Sequence, residues 1–431
     1  MDTNNQISAQ ELLEFLNKSP TAFHAVDESA KILKSAGFTE LRENQKWELK
    51  KEGKYFLKRN NSSLIAFEIG SDLSQNGFRI IGTHTDSPCF KLKPGNAIVT
   101  SDGYVKLNTE CYGGVILSTW FDRPLSLAGR VISKSQNGRV ETLINSEKPV
   151  LIIPSLCIHF NREVSEGYTF NKQIEMLPFL GFADNKTPKS DYLFDIIYDS
   201  AGISGNKILD YDLFLYESDK GRLMGLNEEF ISASRLDNLW MVFTSVQAMI
   251  KSGGCTFTKI LAAFDNEEIG SATMSGANSL FLYSVLQRIC SVLNLTVEET
   301  QIAISNSLAV SADCAHAVHP NYSDKHDQTN RPVLGKGLAI KYSAGQKYGT
   351  NASTAAAFIE MCENYTIPYQ KFVNRSDIAG GSSLGPSMSS LTSVPTVDVG
   401  IPVLAMHSIR ELGCIYDNKF AIDALSKFFS Y

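Results

Sequence analysis

Residues 263–271 read Ala-Phe-Asp-Asn-Glu-Glu-Ile-Gly-Ser, so three carboxylates directly follow an apolar segment that begins at Lys259. The short apolar run Lys259–Phe264 predicts a buried strand. Glu267 and Glu268 are adjacent, so both can serve one site only if the chain turns, and Ile269-Gly270 supplies a turn. Such a cluster needs cations or protons nearby; the alternative is a solvated acidic loop.

Other side chains suited to binding a metal also stand where predicted strands or helices begin or end. Each has an ordinary alternative: a surface turn for a His-x-Asp pair, a helix N-cap for an Asp, and a core position for a His. Together they supply two imidazoles and several carboxylates, which is what a pair of divalent cations requires. These residues are His84, Asp86, Asp237, Asp313 and His407.

The spacing of these residues suggests their roles. His84 and Asp86 share one face of an extended segment, so the carboxylate can hold the imidazole nitrogen that does not bind metal. Asp237, at a predicted helix start, suits a carboxylate that bridges two metals. One of the two adjacent glutamates would bind metal and the other would act as general base.

The charges of this set balance two divalent cations. Asp237, Glu268, Asp313 and a bridging hydroxide would bring the assembled site close to neutrality, as a partly buried site requires. Zinc is the first expectation, and manganese or cobalt is chemically acceptable, because mixed nitrogen and oxygen ligands suit all three metals.

The 431 residues, 43% of them hydrophobic, are enough for two domains. Helix and strand patterns alternate near both ends, with a long helix predicted at 272–293 and a strand at 302–311. Between them lie short strands, including one predicted at 150–154. We therefore expect an α/β fold, with a discontinuous α/β domain (1–92 and 232–431) interrupted by a β-rich insert (93–231).

Composition excludes several kinds of partner. The net charge is −6 and the basic residues are spread out, which argues against nucleic acid. Eight widely spaced cysteines form no CxxC pair, so a reducing cytoplasm fits best. The polar amino terminus differs from a signal peptide, and no apolar run is long enough to span a bilayer, so we expect no membrane partner.

Six motifs in order along the chain resemble those of the aspartyl aminopeptidase family of dinuclear metallopeptidases. They are Gly82-Thr83-His84-Thr85-Asp86-Ser87-Pro88, Ser234-Arg235-Leu236-Asp237-Asn238, Asn266-Glu267-Glu268-Ile269-Gly270-Ser271, Asp313-Cys314-Ala315-His316-Ala317-Val318-His319-Pro320-Asn321-Tyr322, Gly381-Ser382-Ser383-Leu384-Gly385-Pro386 and Ala405-Met406-His407-Ser408-Ile409-Arg410-Glu411. Each short motif is weak evidence, whereas the ordered set is highly specific.

The resemblance implies an α/β/α metallopeptidase catalytic domain carrying a β-rich dimerisation insert, and homodimers that assemble into a tetrahedral homododecamer. It implies that Glu267 is the general base, that Asp86 orients a histidine and that Asp237 bridges two ions. It also implies that His159 of the insert reaches a neighbouring subunit's active site. The metal ligands it implies are His84, Asp237, Glu268, Asp313 and His407.

The resemblance also implies a substrate pocket in which Lys341, Tyr348 and Gly381 hold an acidic side chain. A lysine there is a natural counter-charge for a carboxylate. We therefore expect a cytoplasmic aminopeptidase that removes the amino-terminal residue of peptides and prefers Asp or Glu. Cys314 and Ile378-Ala379-Gly380 depart from aspartyl-specific relatives. A neutral or basic preference, or a metal-dependent deacylase, therefore stays open, whereas a non-catalytic scaffold would require altered ligands.

Overall fold

A computed structural model describes residues 3–136, 138–184, 186–189, 191–203, 207–254 and 256–431. The chain divides into two compact units. Unit 1 comprises the described residues up to Ser87, with Gly221–Met406 and Glu411–Tyr431, and unit 2 comprises Pro88–Lys220 with His407–Arg410. The main segment of unit 2 is thus Pro88–Lys220, whereas the sequence predicts an insert over 93–231. A dimerisation role for the insert stays a prediction.

The helices of the described residues are α1 Thr3–Lys18, α2 Ala22–Ser35, α3 Leu73–Asn76, α4 Asp191–Ala201, α5 Leu236–Lys251, α6 Phe281–Val292, α7 Val297–Ser305, α8 Ala352–Asn364, α9 Gly385–Thr392 and α10 Ile415–Phe428. The strands are β1 Thr39–Glu40, β2 Lys54–Arg59, β3 Ser63–Glu68, β4 Phe78–His84, β5 Cys89–Leu92, β6 Ile98–Val99, β7 Tyr104–Lys106, β8 Thr109–Tyr112, β9 Leu125–Ser135, β10 Gly138–Asn145, β11 Phe179–Phe182, β12 Lys207–Glu217, β13 Arg222–Met224, β14 Phe230–Ala233, β15 Thr258–Phe264, β16 Leu308–Ala312, β17 Ala315–His316, β18 Leu338–Tyr342, β19 Tyr369–Val373, β20 Thr396–Gly400, β21 Pro402–Val403 and β22 Glu411–Cys414.

Unit 1 is built on a nine-stranded mixed sheet with the order β1-β2-β3-β15-β4-β16-β20-β18-β19. The four consecutive strands β15, β4, β16 and β20 run parallel to one another. All residues of β3 and β15 are buried, as expected for apolar strands covered on both faces. The carboxyl ends of β15, β4 and β16 therefore meet at one edge of the sheet, where ligands bind in α/β proteins.

Two apolar layers cover this sheet. One includes Trp240 and Phe243 of α5 together with Phe428 of α10. The other includes Phe281 and Leu286 of α6, whose buried side chains recur at helical spacing. Because both faces are covered, unit 1 has the α/β organisation predicted from the sequence.

Unit 2 is mostly antiparallel. Its larger sheet has the order β10-β9-β12-β5-β8, and a smaller one has the order β11-β7-β6. The long strands β9 and β12 approach closely at Gly129, where a Cβ atom would lie 2.0 Å from the carbonyl oxygen of Asp212. Phe90, Leu127 and Leu213 belong to the core of this unit.

Three predicted elements were wrong. Only Phe281–Val292 of the predicted long helix is helical, because a turn region rich in Ser and Gly precedes it. In this region the Thr273 hydroxyl accepts hydrogen bonds from the backbone N–H groups of Ser275 and Gly276. The strand predicted at 302–311 is split into the end of α7 and strand β16, and α7 begins at a capping box formed by Thr296 and Glu299. The strand predicted at 150–154 forms isolated bridges rather than a strand.

The structure also describes most of the cysteines and the apolar character of the helices. Cys255 lies outside the described residues, and none of the seven cysteines within them forms a disulfide. Among the described helices, none combines the length and the apolar character that crossing a membrane requires.

Candidate metal centre

The edge of the unit 1 sheet brings together five of the predicted site residues. His84 is the last residue of β4, and Asp313 directly follows β16. Glu267 and Glu268 lie in a 3₁₀ turn, Glu267–Ile269, shortly after β15. Asp237 lies near the start of α5. The parallel strands thus place side chains that are far apart in sequence around one point.

The distances within this group suit a shared cation. The Nε2 atom of His84 is 3.4 Å from Oδ1 of Asp313 and 3.7 Å from Oδ1 of Asp237. Two atoms bound to one zinc ion at about 2.0–2.1 Å in tetrahedral geometry lie roughly 3.4 Å apart. His84, Glu267 and Glu268 form a second group, whose ligand atoms lie within 4.8 Å of one another.

Asp86 positions three neighbours of the centre. The Nδ1 atom of His84 lies 3.1 Å from the Asp86 carbonyl oxygen and 3.4 Å from its Oδ1 atom. The backbone N–H groups of Glu267 and Glu268 donate to Oδ1 and Oδ2 of Asp86, each at 3.1 Å. The contact with His84 was expected from the sequence, whereas those with the glutamate amides were missed, because they join segments about 180 residues apart.

The turn that carries the glutamates depends on two residues with positive φ. Asn266 has a φ of 64° and Gly270 a φ of 95°. Asn and Gly are the residues that adopt this left-handed region most readily. Glu267 and Glu268 therefore do not point to opposite faces, as they would in a strand, and both can reach the centre.

Asp237 lies before the regular part of α5. Its φ and ψ of −81° and 109° are not helical. Its N–H donates to Oε2 of buried Glu411 at 3.0 Å, and its carbonyl oxygen accepts from the Ser87 hydroxyl at 2.7 Å. These bonds fix the backbone of Asp237. Glu411 lies within one of the six motifs, but nothing in its local sequence indicates this contact.

Asn238 joins the ends of two ligand-bearing strands. Its side-chain amide donates to the Thr83 hydroxyl at 2.9 Å and to the Ala312 carbonyl at 3.0 Å, and its Oδ1 atom accepts from the Cys314 N–H at 3.2 Å. The side chain is fully buried. Sequence reasoning did not assign a role to Asn238, although its place beside Asp237 is the signal that could have suggested one.

The carboxylates of the centre repel one another unless a cation or protons are present. The pKa of Glu267 is raised to about 7, chiefly by burial; the charge of His84 opposes the rise, and the charges of Asp313 and Asp237 favour it. Burial and the charge of Asp237 raise the pKa of Glu268 well above its ordinary value. Burial would lower the pKa of His84, but hydrogen bonds to Asp313 and Asp86 raise it well above its usual range. This donor set of imidazole and carboxylates fits a divalent cation such as zinc, manganese or cobalt.

Lys341 lies within unit 1 and is buried. Its Nζ atom donates to Oδ2 of Asp313 at 3.1 Å and lies 5.5 Å from the ring centre of Tyr348. Although burial opposes it, the Asp313 charge raises the pKa of Lys341, and Lys341 together with His84 holds the pKa of Asp313 below its usual range. Gly381 lies in an exposed loop. The role of these residues in substrate binding stays a prediction.

The two predicted histidines outside unit 1 belong to unit 2. The Nδ1 atom of His407 lies 3.0 Å from the carbonyl oxygen of Gly114, and both residues belong to unit 2. His159 lies in an exposed turn. Metal binding by His407 and a role for His159 in a neighbouring subunit stay predictions.

Comparisons with known proteins find similarity over nearly the whole chain. The model of the family described as "Aminopeptidase I zinc metalloprotease (M18)" matches residues 15–429. A "Probable M18 family aminopeptidase 2" of Clostridium acetobutylicum is 48% identical over 425 residues, or 98% of each chain.

Solved structures show the same likeness. A chain in the cryo-EM structure of the Ape4 and Nbr1 complex has a TM-score of 0.95 at 38% identity, over 99% of this chain and 86% of that one. The S. cerevisiae mApe1 dodecamer has a TM-score of 0.87 at 27% identity, over 100% of this chain and 97% of that one. These neighbours confirm the predicted α/β class.

Proposed function

Because the chain belongs to the M18 family of zinc metalloproteases and is a metal-dependent aminopeptidase, we propose that it removes the amino-terminal residue of peptides with two divalent ions per subunit. Zinc is the first choice, with manganese or cobalt as acceptable replacements. The observation that carries the proposal is the convergence of His84, Asp237 and Asp313, whose ligand atoms lie within 4.8 Å of one another. Glu267 and Glu268 lie beside them and complete an oxygen-rich centre.

We assign the ligands as His84, Asp237, Glu268, Asp313 and His407. Asp237 would be the bridging carboxylate, as the family resemblance implies. It stands in one group with His84 and Asp313, and its backbone is fixed by Glu411. His407 enters on its motif match and on the hydrogen bond that fixes one of its ring nitrogens. Asp86 orients His84 and the two glutamates.

Glu267 is the general base of the proposed mechanism. When bound, the ions supply Lewis-acid polarisation of the scissile carbonyl group. Glu267 takes a proton from the attacking water and returns it to the departing amine. His159 of a neighbouring subunit would stabilise the oxyanion, as the family resemblance implies.

For the amino-terminal residue we propose an acidic preference, with Lys341, Tyr348 and Gly381 around the side chain. Lys341 supports this, because it is a buried cation next to the centre. Its contact with Asp313 also supports the alternative of a neutral preference, since Asp313 already offsets part of the lysine charge. A basic preference or deacylation of N-acyl amino acids are further alternatives.

We further propose that the protein is cytoplasmic and forms homodimers that assemble into a tetrahedral homododecamer. The cysteine pattern supports the location, and the likeness to the mApe1 dodecamer supports the assembly. Molecular mass in solution, measured by light scattering at several concentrations, tests the assembly: a stable monomer at micromolar concentration would contradict it.

The function is tested by profiling hydrolysis together with metal content. Dipeptides beginning with Asp, Glu, Leu and Lys, and the matching N-acetyl amino acids, are incubated with protein loaded with zinc, manganese or cobalt. We expect two ions per chain and the fastest release of Asp or Glu. Faster release of Leu or Lys would show a neutral or basic preference instead of an acidic one. Cleavage of the N-acetyl compounds alone would indicate a deacylase. A protein that binds no metal, or that cleaves none of these compounds, would refute the proposal.

A further inference from the structure

Asp398 is a buried carboxylate that the proposed mechanism does not use. It lies in β20, a strand within the nine-stranded sheet, and its side chain is completely buried. Burial raises its pKa, as expected for a carboxylate without water around it. A buried ionisable group is costly unless its hydrogen bonds are satisfied, so its partners indicate what it does.

Asp398 contacts Ser311 of the neighbouring strand β16, and its other hydrogen-bond partners lie in two loops that approach β20. The N–H of Gly349 donates to Oδ2 of Asp398 at 2.6 Å, and the hydroxyl of Ser383 donates a short hydrogen bond to Oδ1. The backbone N–H of Asp398 in turn donates to the hydroxyl of Thr350 at 2.8 Å. One residue of the sheet thus holds both loops.

These two loops carry residues of the proposed substrate pocket. Tyr348 directly precedes Gly349, and Gly381 stands two residues before Ser383. The loops also contact each other directly: the ammonium of Lys347 donates to the Gly380 carbonyl at 2.5 Å, and the N–H of Ser383 donates to the Lys347 carbonyl at 3.3 Å.

Two glycines make the close approach possible. A Cβ atom at Gly385 would lie 2.0 Å from Oδ2 of Asp398, so only glycine leaves room for the carboxylate there. A Cβ atom at Gly349 would lie 3.3 Å from the backbone of Gly385, which shows how tightly the two loops pack. The loops therefore have little freedom while Asp398 keeps its hydrogen bonds.

We propose that Asp398 is a positioning residue that sets the geometry of the substrate pocket by holding the Gly349 and Ser383 loops. This inference rests on the proposed function, because it assigns the pocket to Tyr348 and Gly381. The role assigned to Asp398 is carried by its hydrogen-bond geometry. An asparagine could accept from the Gly349 N–H with its carbonyl oxygen and donate to the Ser383 hydroxyl, so it should preserve the arrangement.

The test compares Asp398→Ala, Asp398→Asn and the matched control Asp417→Ala. Asp417 is also buried and accepts two glycine N–H groups, from Gly335 at 2.6 Å and Gly337 at 2.8 Å. For a dipeptide substrate we expect KM to rise roughly tenfold in Asp398→Ala, equivalent to about 1.4 kcal/mol, with kcat changed less. Asp398→Asn should stay within about threefold of the wild type, and Asp417→Ala should leave KM unchanged even if it lowers stability.

A second measurement does not depend on activity. Hydrogen exchange of the metal-loaded protein should be faster in Asp398→Ala at the Gly349 and Ser383 loops, and unchanged there in Asp417→Ala. If Asp398→Ala does not fold, Ser383→Ala removes one of the two bonds and should speed exchange in its own loop and raise KM by about threefold.

The outcomes separate this inference from the proposed function. A wild-type protein that cleaves no peptide refutes the proposed function, while loop exchange still decides whether Asp398 holds the loops. Wild-type KM and exchange in both Asp398→Ala and Ser383→Ala would overturn the inference. Equal losses in Asp398→Ala and Asp398→Asn would also overturn it, because the charge would then matter rather than the hydrogen bonds.

Discussion

The ammonium of Lys341 donates a hydrogen bond to Oδ2 of Asp313 at 3.1 Å, and both side chains are buried. A residue expected to meet the substrate thus contacts a proposed metal ligand. Removing one partner of a buried ion pair leaves an uncompensated charge, which typically costs about 3–5 kcal/mol. A cation bound to Asp313 would compensate this charge in the same way as Lys341 does.

We therefore predict that Lys341→Met lowers the unfolding free energy of the metal-free protein by about 3–5 kcal/mol, and that zinc restores a large part of the loss. Denaturant titration with and without zinc measures both values. Lys259→Met is the matched control, because Lys259 is equally buried and pairs with Glu68 at 3.3 Å. The decrease in unfolding free energy caused by Lys259→Met should be the same with and without zinc. If zinc restored the stability of both variants equally, the prediction would be contradicted.

Glu267→Gln should lower kcat by about 10²–10⁴-fold, the usual contribution of a general base, and should leave metal content unchanged. Glu268→Gln should instead lower metal content, because it removes a proposed ligand oxygen. The two glutamates are adjacent and both backbones are held by Asp86, so each variant is a control for the other. Turnover is measured at a saturating concentration of dipeptide. Metal content is measured by elemental analysis. Near-normal kcat in Glu267→Gln would remove it from the role of base.

Metal binding should become tighter as the pH rises from 6 to 8. In the metal-free protein Glu267 has a pKa of about 7 and the pKa of His84 is raised well above its usual range, so both groups carry protons at pH 6 that bound metal displaces. The pKa of Glu268 is raised in the same direction. Calorimetric titration with zinc in buffers of different ionisation enthalpy should show proton release, larger at pH 6 than at pH 8. Zinc affinity that does not change over this range would show that the centre is already deprotonated.

Asn238→Ala should weaken metal binding by about 10–100-fold, the usual effect of removing a residue that orients metal ligands. The side-chain amide of Asn238 joins the segment that carries Asp237 to the ends of β4 and β16. Without this amide, the three segments are no longer held together by these hydrogen bonds. Zinc affinity is measured by competition with a chelator of known affinity.

Asn418→Ala is the matched control for Asn238→Ala. Asn418 is also fully buried, and its side chain accepts from the Trp240 indole at 2.8 Å and donates to the Ser8 hydroxyl at 2.8 Å. It should lose stability and keep wild-type zinc affinity. Equal zinc affinity in the two variants would show that Asn238 supports the fold and not the centre.

The buried strand before the acidic turn and the metal-binding residue types could be recognised from the sequence, because both depend on local patterns. An apolar run such as that of β15 can be buried only as a covered strand or helix, and its length favours a strand. The local pattern was not sufficient at 302–311, where one apolar stretch contains the end of α7 and then β16. Periodicity cannot separate a short helix end from a strand when both are buried.

The sequence by itself determined the family, the α/β class and the kinds of side chain that the centre contains, since these follow from composition, order and local chemistry. Only the tertiary structure decided that Asp86 holds both glutamate amides, that Lys341 meets Asp313 and that Asp398 holds two loops. These contacts join segments that are distant in the chain, and which buried polar groups become partners depends on how the strands are ordered in the sheet.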